Sequence, residues 1–180
     1  MDLFGNIKNA ANQAGGNRSF QIVFNTTPVT LGEFTALPQA SLQSPCDTAA
    51  LFVVAMCVYP VNAAEAIKMV NYLKGPQPLS GYDVQFLADR MRGKDYLPRS
   101  FFNGATPQNN YMPSPPYTIV VSENPYSYQE QGYAKLFLKS GGADSPRPIQ
   151  TRQAKDGRWY LWEQFLLSDI RQPEASNPWM

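Results

Sequence analysis

Three side chains that could do chemistry stand close together in the stretch SGGADSPRP, which runs from Ser140 to Pro148. Asp144 could accept main-chain hydrogen bonds and pair with Arg147, because a carboxylate and a guanidinium form strong charge-assisted bonds. Ser145 has no neighbouring base that would make its hydroxyl a nucleophile. The alternative is an Asx-type turn between two strands, in which the two glycines supply backbone freedom. We favour the turn.

Glu163 in the stretch RWYLWEQF is a second candidate, because it is a carboxylate among aromatic residues. The alternation of a strand places it on the same face as Leu161 and opposite to Trp162. If that face is the core, the carboxylate must find a cation or hold a proton, since an unpaired buried charge is costly. Arg152 or Arg171 could supply the cation, and so could Arg147, which leads into a neighbouring strand. A protonated carboxyl in an aromatic pocket is typical of a general acid, whereas a structural ion pair is the more common arrangement.

The stretch DRMRGKDYLPRS concentrates six charges into residues 89–99, in a chain of which only 16% is charged. Its arginines, Arg90, Arg92 and Arg99, could bind a carboxylate or a phosphate, since a guanidinium matches the geometry of both. The alternative is the solvated end of a helix, where cations suit the negative C-terminus. We favour the helix end.

The composition excludes several classes of catalytic and metal site. The chain of 180 residues has no histidine, which rules out Ser-His-Asp and Cys-His catalysis and every metal site that needs imidazole. Its two cysteines, Cys46 and Cys57, are too few for an all-cysteine zinc site. They lie in one predicted helix, about 16 Å apart, which is too far for a disulfide. Both are therefore predicted to be buried thiols in a reducing, cytoplasmic compartment.

Nucleic acid and membrane are not expected as partners. The net charge of +1 and the scattered Lys and Arg residues give no basic patch. The longest apolar run, from Ala49 to Val61, is too short to span a bilayer. Residues 2–14 could form an amphipathic helix, but its single lysine offers weak attraction to a membrane surface. No glycine-rich phosphate loop occurs, and no cofactor is expected.

The spacing of apolar residues changes from helical to alternating along the chain. One strand is predicted near the N-terminus, then four helices that begin at capping residues, then an irregular segment at 94–116 and four further strands. The predicted helices cover Leu31–Leu37, Ser44–Tyr59, Asn62–Gly75 and Ser80–Gly93. The predicted strands cover Ser19–Asn25, Tyr117–Glu123, Tyr133–Lys139, Pro148–Ala154 and Arg158–Phe165.

The fold class that follows is α+β, with N-terminal helices packed on a C-terminal four-stranded antiparallel meander. Helices cradled by a curved meander are also the pattern of nuclear-transport-factor-like cones, so a cone-like shape is one version of this fold. A single domain is predicted at residues 17–173. An amphipathic segment at 1–16 precedes it, and an extended tail at 174–180 follows it.

Four stretches of the sequence carry a resemblance to a known family. They are YLKGPQPLSGYDVQFLADRMRGKDYLPRSFFNGATPQNNYMPSPPYTIVVSENPYSY, GYAKLFLKSGGADSPRPI, DGRWYLWEQFLLSDIRQP and NPW. They resemble an uncharacterised bacterial family, a domain of unknown function common in gut anaerobes, over the chain from about Phe20. The resemblance implies a bacterial, cytoplasmic protein, and it carries no catalytic residue over to this chain.

Two hypotheses of function follow. The first, which we favour, is a non-catalytic domain that binds another protein or itself, because charge-poor surfaces and Tyr-rich loops such as NPYSYQEQGY suit interfaces. The second is a small-ligand pocket between helices and meander, which could be enzymatic. The residues proposed for a pocket or polar network are Glu163, Arg147, Asp144, Arg152 and Trp162. Arg90, Arg92 and Arg99 form a separate candidate anion site, and no metal site is predicted.

Overall fold

The computed structural model describes residues 16–179, and these contain one antiparallel sheet of five strands, in which each strand pairs with the next one along the chain. The strands are β1 Arg18–Phe24, β2 Tyr117–Glu123, β3 Tyr133–Leu138, β4 Arg147–Gln153 and β5 Trp159–Gln164. Five α-helices of the described chain lie between β1 and β2 in sequence: α1 Leu31–Thr35, α2 Pro45–Val58, α3 Ala63–Lys74, α4 Gly81–Met91 and α5 Tyr96–Arg99. The α+β class is confirmed.

The predicted C-terminal meander is present as β2–β5, and the sheet has a fifth strand in addition. The strand predicted near the N-terminus, β1, pairs antiparallel with β2, so that Phe20 lies opposite Val121. All the helices just named separate these two strands in the chain, and alternation within a strand does not reveal which distant strand it joins. As a result, β1 forms one edge of the sheet and β5 forms the other.

Capping side chains fix where the helices begin, as the sequence predicts. The Ser44 hydroxyl accepts a hydrogen bond from the main-chain N–H of Cys46 (3.2 Å), and Pro45 occupies the first position of α2. At α4, Ser80 and Asp83 each accept from the other's main-chain N–H, which completes a capping box. Helix α2 is buried on nearly all sides and contacts every strand of the described sheet.

One face of the sheet forms the core with the helices, and the other face is accessible. Ile119, Leu136 and Ile149 point into the core and are fully buried. Lys135 and Arg152, at alternate positions of the same strands, are exposed. Such alternation is what a sheet with one covered face requires. The outer face of the sheet is therefore open to a ligand.

The edge strand β5 is protected by hydrogen bonds to the helix layer. The Trp159 N–H donates to the Leu42 carbonyl oxygen (2.8 Å), and the Thr48 hydroxyl donates to the Trp159 carbonyl oxygen (2.6 Å). The Lys74 ammonium donates to the Trp162 carbonyl oxygen (3.1 Å). These main-chain groups are already satisfied, which disfavours the addition of another strand along β5.

The segment before β2, predicted to be irregular, is ordered by helix α5 and by a 3-10 turn at Pro107–Asn109. Phe101 and Tyr111 are fully buried, and the Tyr111 ring stacks on that of Tyr96 with centroids 5.5 Å apart. These aromatic contacts hold the segment down as a cover over the core.

The sequence predicts a separate segment at each end of the chain. Residues 1–15 lie outside the described part, so the amphipathic segment at 1–16 stays a prediction. At the other end, the expected extended tail contains a 3-10 turn at Glu174–Ser176, and the Gln108 amide donates to the Glu174 carboxylate (2.9 Å). Trp179 is 91% exposed and does not pack onto the body of the domain.

Candidate ligand-binding groove

A β-bulge at Trp162 decides which side chains of β5 face the core. Thr151 of β4 lies opposite Leu161, whereas the preceding residue Gln150 lies opposite Glu163, so Trp162 is the extra residue. An inserted residue moves every later side chain to the other face. Glu163 consequently leaves the core face and is exposed. The expectation of a buried carboxylate at this position is wrong, because the alternation breaks at the bulge.

The expected partnerships of Arg147 and Asp144 are also wrong. The Arg147 guanidinium donates to the carbonyl oxygens of Asp169 (2.8 Å) and of the residue before it (3.3 Å), and it makes no ion pair with Glu163 in the described chain. It ties the start of β4 to the chain that leaves β5. Asp144 pairs with Arg171 (2.8 Å), and at 94% side-chain exposure for the acid this pair contributes little to stability.

The two glycines of the stretch SGGADSPRP are required for space. A Cβ on Gly141 would overlap the carbonyl oxygen of Ala105, and a Cβ on Gly142 would overlap the hydroxyl of Tyr111. Neither glycine has φ in the left-handed region, so their expected role as a source of backbone freedom is wrong. The loop packs against the ordered segment before β2, which agrees with its interpretation as a structural turn.

The three arginines of the candidate anion site have separate partners. The Arg90 guanidinium lies over the Phe86 ring at 5.1 Å from its centroid, and Arg92 pairs with Asp89 (3.0 Å). Arg99 donates to three main-chain carbonyl oxygens in the ordered segment before β2. The structure therefore gives these arginines structural contacts and does not bring them to one shared ligand position.

Arg152 and Trp162, by contrast, are brought together on the outer face of the sheet. The Arg152 guanidinium carbon lies 4.7 Å from the centroid of the Trp162 ring and 5.3 Å from that of Tyr133. The two rings meet edge to face, with centroids 5.8 Å apart. The guanidinium lies over these rings but donates no hydrogen bond and makes no ion pair within residues 16–179. Its N–H edge is held in place and left available.

This arginine lines a groove of about 600 Å³ between the β4–β5 hairpin and the chain that follows α3. We call it the basic groove, because it holds three cations, Lys74, Arg152 and Lys155, and one acid, Asp156. Its other lining residues are Pro76, Gln77, Gln153, Ala154, Tyr160, Leu161 and Trp162. The volume is that of an ordinary ligand pocket, and the walls combine aromatic rings with positive charge.

Tyr160 fixes the shape of the basic groove. Its ring packs on Gly75, which has φ +59° and no space for a Cβ beside the ring. The Tyr160 hydroxyl donates to the Asp156 carboxylate (2.9 Å). The pKa of Asp156 is lowered, chiefly by the main-chain N–H of Arg158, so the one acid of the groove is charged and already engaged. The cations of the groove are thus left in excess.

Comparison with known proteins gives a family and no activity. The sequence model of one family, Domain of unknown function (DUF6935), matches residues 26–174. The chain belongs to this family. The expected resemblance to a domain of unknown function is confirmed, while bacterial origin stays a prediction. No curated protein and no solved structure matches the chain, so the cone-like comparison also stays a prediction.

The residues matched by the DUF6935 model include a buried acid that the sequence analysis does not predict. Glu123, at the end of β2, has a side chain only 1% exposed, and neither carboxylate oxygen has a hydrogen-bond partner of good geometry in residues 16–179. The nearest cation is Arg18, at 3.9 Å, which precedes the matched range. Burial, followed by the adjacent carboxylate, raises the pKa of Tyr128. Alternation in YTIVVSE could have revealed this acid, because it places Glu123 on the face of Ile119.

The remaining features of the described residues concern thiols, metal-binding groups and membrane-spanning helices. Both cysteines are free; Cys46 is buried as predicted, whereas Cys57 is half-buried. Burial raises the pKa of each thiol to about 12. Among residues 16–179, no group of three or more His, Cys, Asp or Glu side chains could hold a metal ion. No helix in that range has the length and apolarity needed to cross a membrane.

Proposed function

We propose that this protein is a non-catalytic binding domain whose basic groove takes a ligand with a flat apolar part and a carboxylate or phosphate. The observation that carries the proposal is the Arg152 guanidinium, which lies over the rings of both Trp162 and Tyr133 and has no acceptor in the described chain. An oxyanion can accept two parallel hydrogen bonds from such an edge. Stacking holds the guanidinium in place before the ligand arrives, which reduces the entropy lost on binding.

The proposal develops the hypothesis of a ligand pocket, with Arg152 as the polar anchor where the sequence had suggested Glu163 or Arg147. A binding role without catalysis is supported by the lining of the groove, which contains no serine, threonine, cysteine or histidine. A nucleophile with an adjacent base is the usual requirement for covalent catalysis. Lysines at the rim add attraction for an anion, screened by salt because the groove is open to solvent.

We further infer a bacterial, cytoplasmic protein that binds neither nucleic acid nor membrane. A reducing compartment is supported by the two free cysteines. A near-neutral chain with a net charge of +1 lacks the field that draws proteins to phosphate polymers. Self-association is kept as the alternative function, supported by exposed aromatic side chains such as Tyr126, which is 71% exposed.

Isothermal titration calorimetry with phenyl phosphate and benzoate tests the groove, and phenol serves as the uncharged probe. We expect both anions to bind and phenol to bind at least about tenfold more weakly. Arg152→Gln should weaken phenyl phosphate binding by about tenfold, because charge-assisted bonds to the oxyanion are lost. Arg92→Gln is the matched control, since it removes the same charge from an exposed site outside the groove. Equal affinity of Arg152→Gln and wild type would overturn the proposal.

A further inference from the structure

A second cavity, of about 320 Å³, lies beside the basic groove between α4 and β5. Its floor is formed by buried apolar side chains, among them Phe52, Val70 and Leu87. Its rim carries two exposed aromatic residues, Tyr82 and Phe165, which are 79% and 54% exposed. An apolar floor with exposed aromatic side chains at the rim is typical of a docking site.

The charges of this second cavity are all negative. Asp83 and Glu163 belong to its lining, and no Lys or Arg does, so we call it the acidic cleft. The main-chain N–H of Ser80 lowers the pKa of Asp83, which keeps this carboxylate charged at neutral pH. Glu163 makes no hydrogen bond or ion pair through its side chain within the described chain. The cleft therefore places two carboxylates around an apolar floor.

The acidic cleft and the basic groove share one wall. Leu161 and Trp162 line both cavities, and the Lys74 ammonium donates to the Trp162 carbonyl oxygen at the boundary (3.1 Å). Because of the bulge at Trp162, Tyr160 on the basic side and Glu163 on the acidic side lie opposite Arg152 and Gln150, which are only two positions apart in β4. At ~3.3 Å per residue the two binding positions are roughly 7 Å apart, the length of about two extended residues.

We propose that the occupant of this joined surface is an extended peptide segment of a partner protein, with an acidic side chain in the basic groove and, about two residues away, an apolar side chain beside a Lys or Arg in the acidic cleft. The inference rests on the proposed function of the basic groove. Charge complementarity selects this occupant, because a ligand of a single charge satisfies only one of the two cavities. The peptide binds through its side chains, since main-chain groups of Trp159 and Trp162 are already satisfied by the protein.

Fluorescence polarisation with labelled tetrapeptide amides tests the inference. The probe contains, in order, glutamate, serine, phenylalanine and lysine. Two control probes replace the glutamate by glutamine or the lysine by glutamate. We expect the first probe to bind at least about tenfold more tightly than either control. Glu163→Gln should weaken the first probe about threefold, the effect of one exposed charge pair, and should leave benzoate affinity unchanged.

Glu130→Gln, an exposed substitution outside both cavities, is the matched control and should change nothing. If benzoate binds but the three peptides bind equally, the peptide inference is overturned and the proposed function stands. If neither benzoate nor any peptide binds, both fail. Sedimentation velocity adds one more outcome: a dimer that Glu163→Lys dissociates would identify the occupant as a second copy of the chain, which also overturns the assignment to a partner peptide.

Discussion

Replacing Gly142 by alanine tests whether the loop SGGADSPRP is a packing element. The added Cβ would overlap the Tyr111 hydroxyl and would lie 2.7 Å from the Cγ2 atom of Ile170. Tyr111 is fully buried, and its hydroxyl donates to the Arg171 carbonyl oxygen (2.6 Å). The methyl group therefore cannot be accommodated without displacing a ring that has no free space around it.

Two contributions set the size of the effect. Overpacking of a close-packed site costs about 1–3 kcal/mol. Displacement of the Tyr111 ring would break its hydrogen bond to Arg171 and leave buried polar atoms without partners, which costs about 1–3 kcal/mol more. We therefore expect Gly142→Ala to lower the free energy of unfolding by roughly 2–6 kcal/mol. For a domain of this size each kcal/mol shifts Tm by about 2–4 °C, which corresponds to a fall of roughly 4–24 °C.

Thermal unfolding followed by circular dichroism measures this change, with Gly81→Ala as the control. Gly81 is the first residue of α4, its φ is not left-handed, and a Cβ there would meet nothing within 4 Å. Gly81→Ala should stabilise the protein by about 0.5 kcal/mol, because alanine loses less backbone entropy on folding. Opposite signs for the two substitutions support the packing argument. A Gly142→Ala protein that melts within about 2 °C of wild type would refute it.

Two further predictions concern Glu123 and the two cysteines. Glu123→Met should raise the free energy of unfolding at pH 7 by about 1–3 kcal/mol, because an apolar side chain needs no hydrogen-bond partner. Urea titrations measure this change. A loss of stability would mean that the carboxylate is better solvated than its geometry indicates. Cys46 and Cys57 should not react with a thiol reagent in the native protein at pH 8. With a pKa near 12, only about 0.01% of each thiol is thiolate at that pH. Rapid labelling without unfolding would contradict this.

Local signals in the sequence were enough to locate most elements. Ser44 and Pro45 marked the start of α2, and the pair Ser80 and Asp83 marked the start of α4, because capping bonds form between residues only a few positions apart. Strand β2 has the predicted bounds Tyr117–Glu123. The pairing of β1 with β2 was not predictable in the same way, since it depends on a contact across the whole helical region.

The candidate site was predicted only in part, because it depends on register. Arg152 and Trp162 are both among the predicted residues, but their contact depends on the register of β4 against β5, which the alternation within one strand does not fix. The same bulge carries Glu163 out of the core. The close approach of Tyr160 to Gly75 is a long-range contact, so the basic groove that it shapes could not be read from neighbouring residues.

The most direct test of the central claim is to locate an anion on the protein by nuclear magnetic resonance. In ¹⁵N-labelled protein titrated with phenyl phosphate, the Nε–H signal of Arg152 and the indole N–H signal of Trp162 should shift together and saturate. The corresponding signal of Arg92, outside the groove, should stay in place. Shifts at Arg92 without shifts at Arg152 and Trp162, or no saturable shift at either of the latter, would contradict the assignment of the basic groove as an anion-binding site.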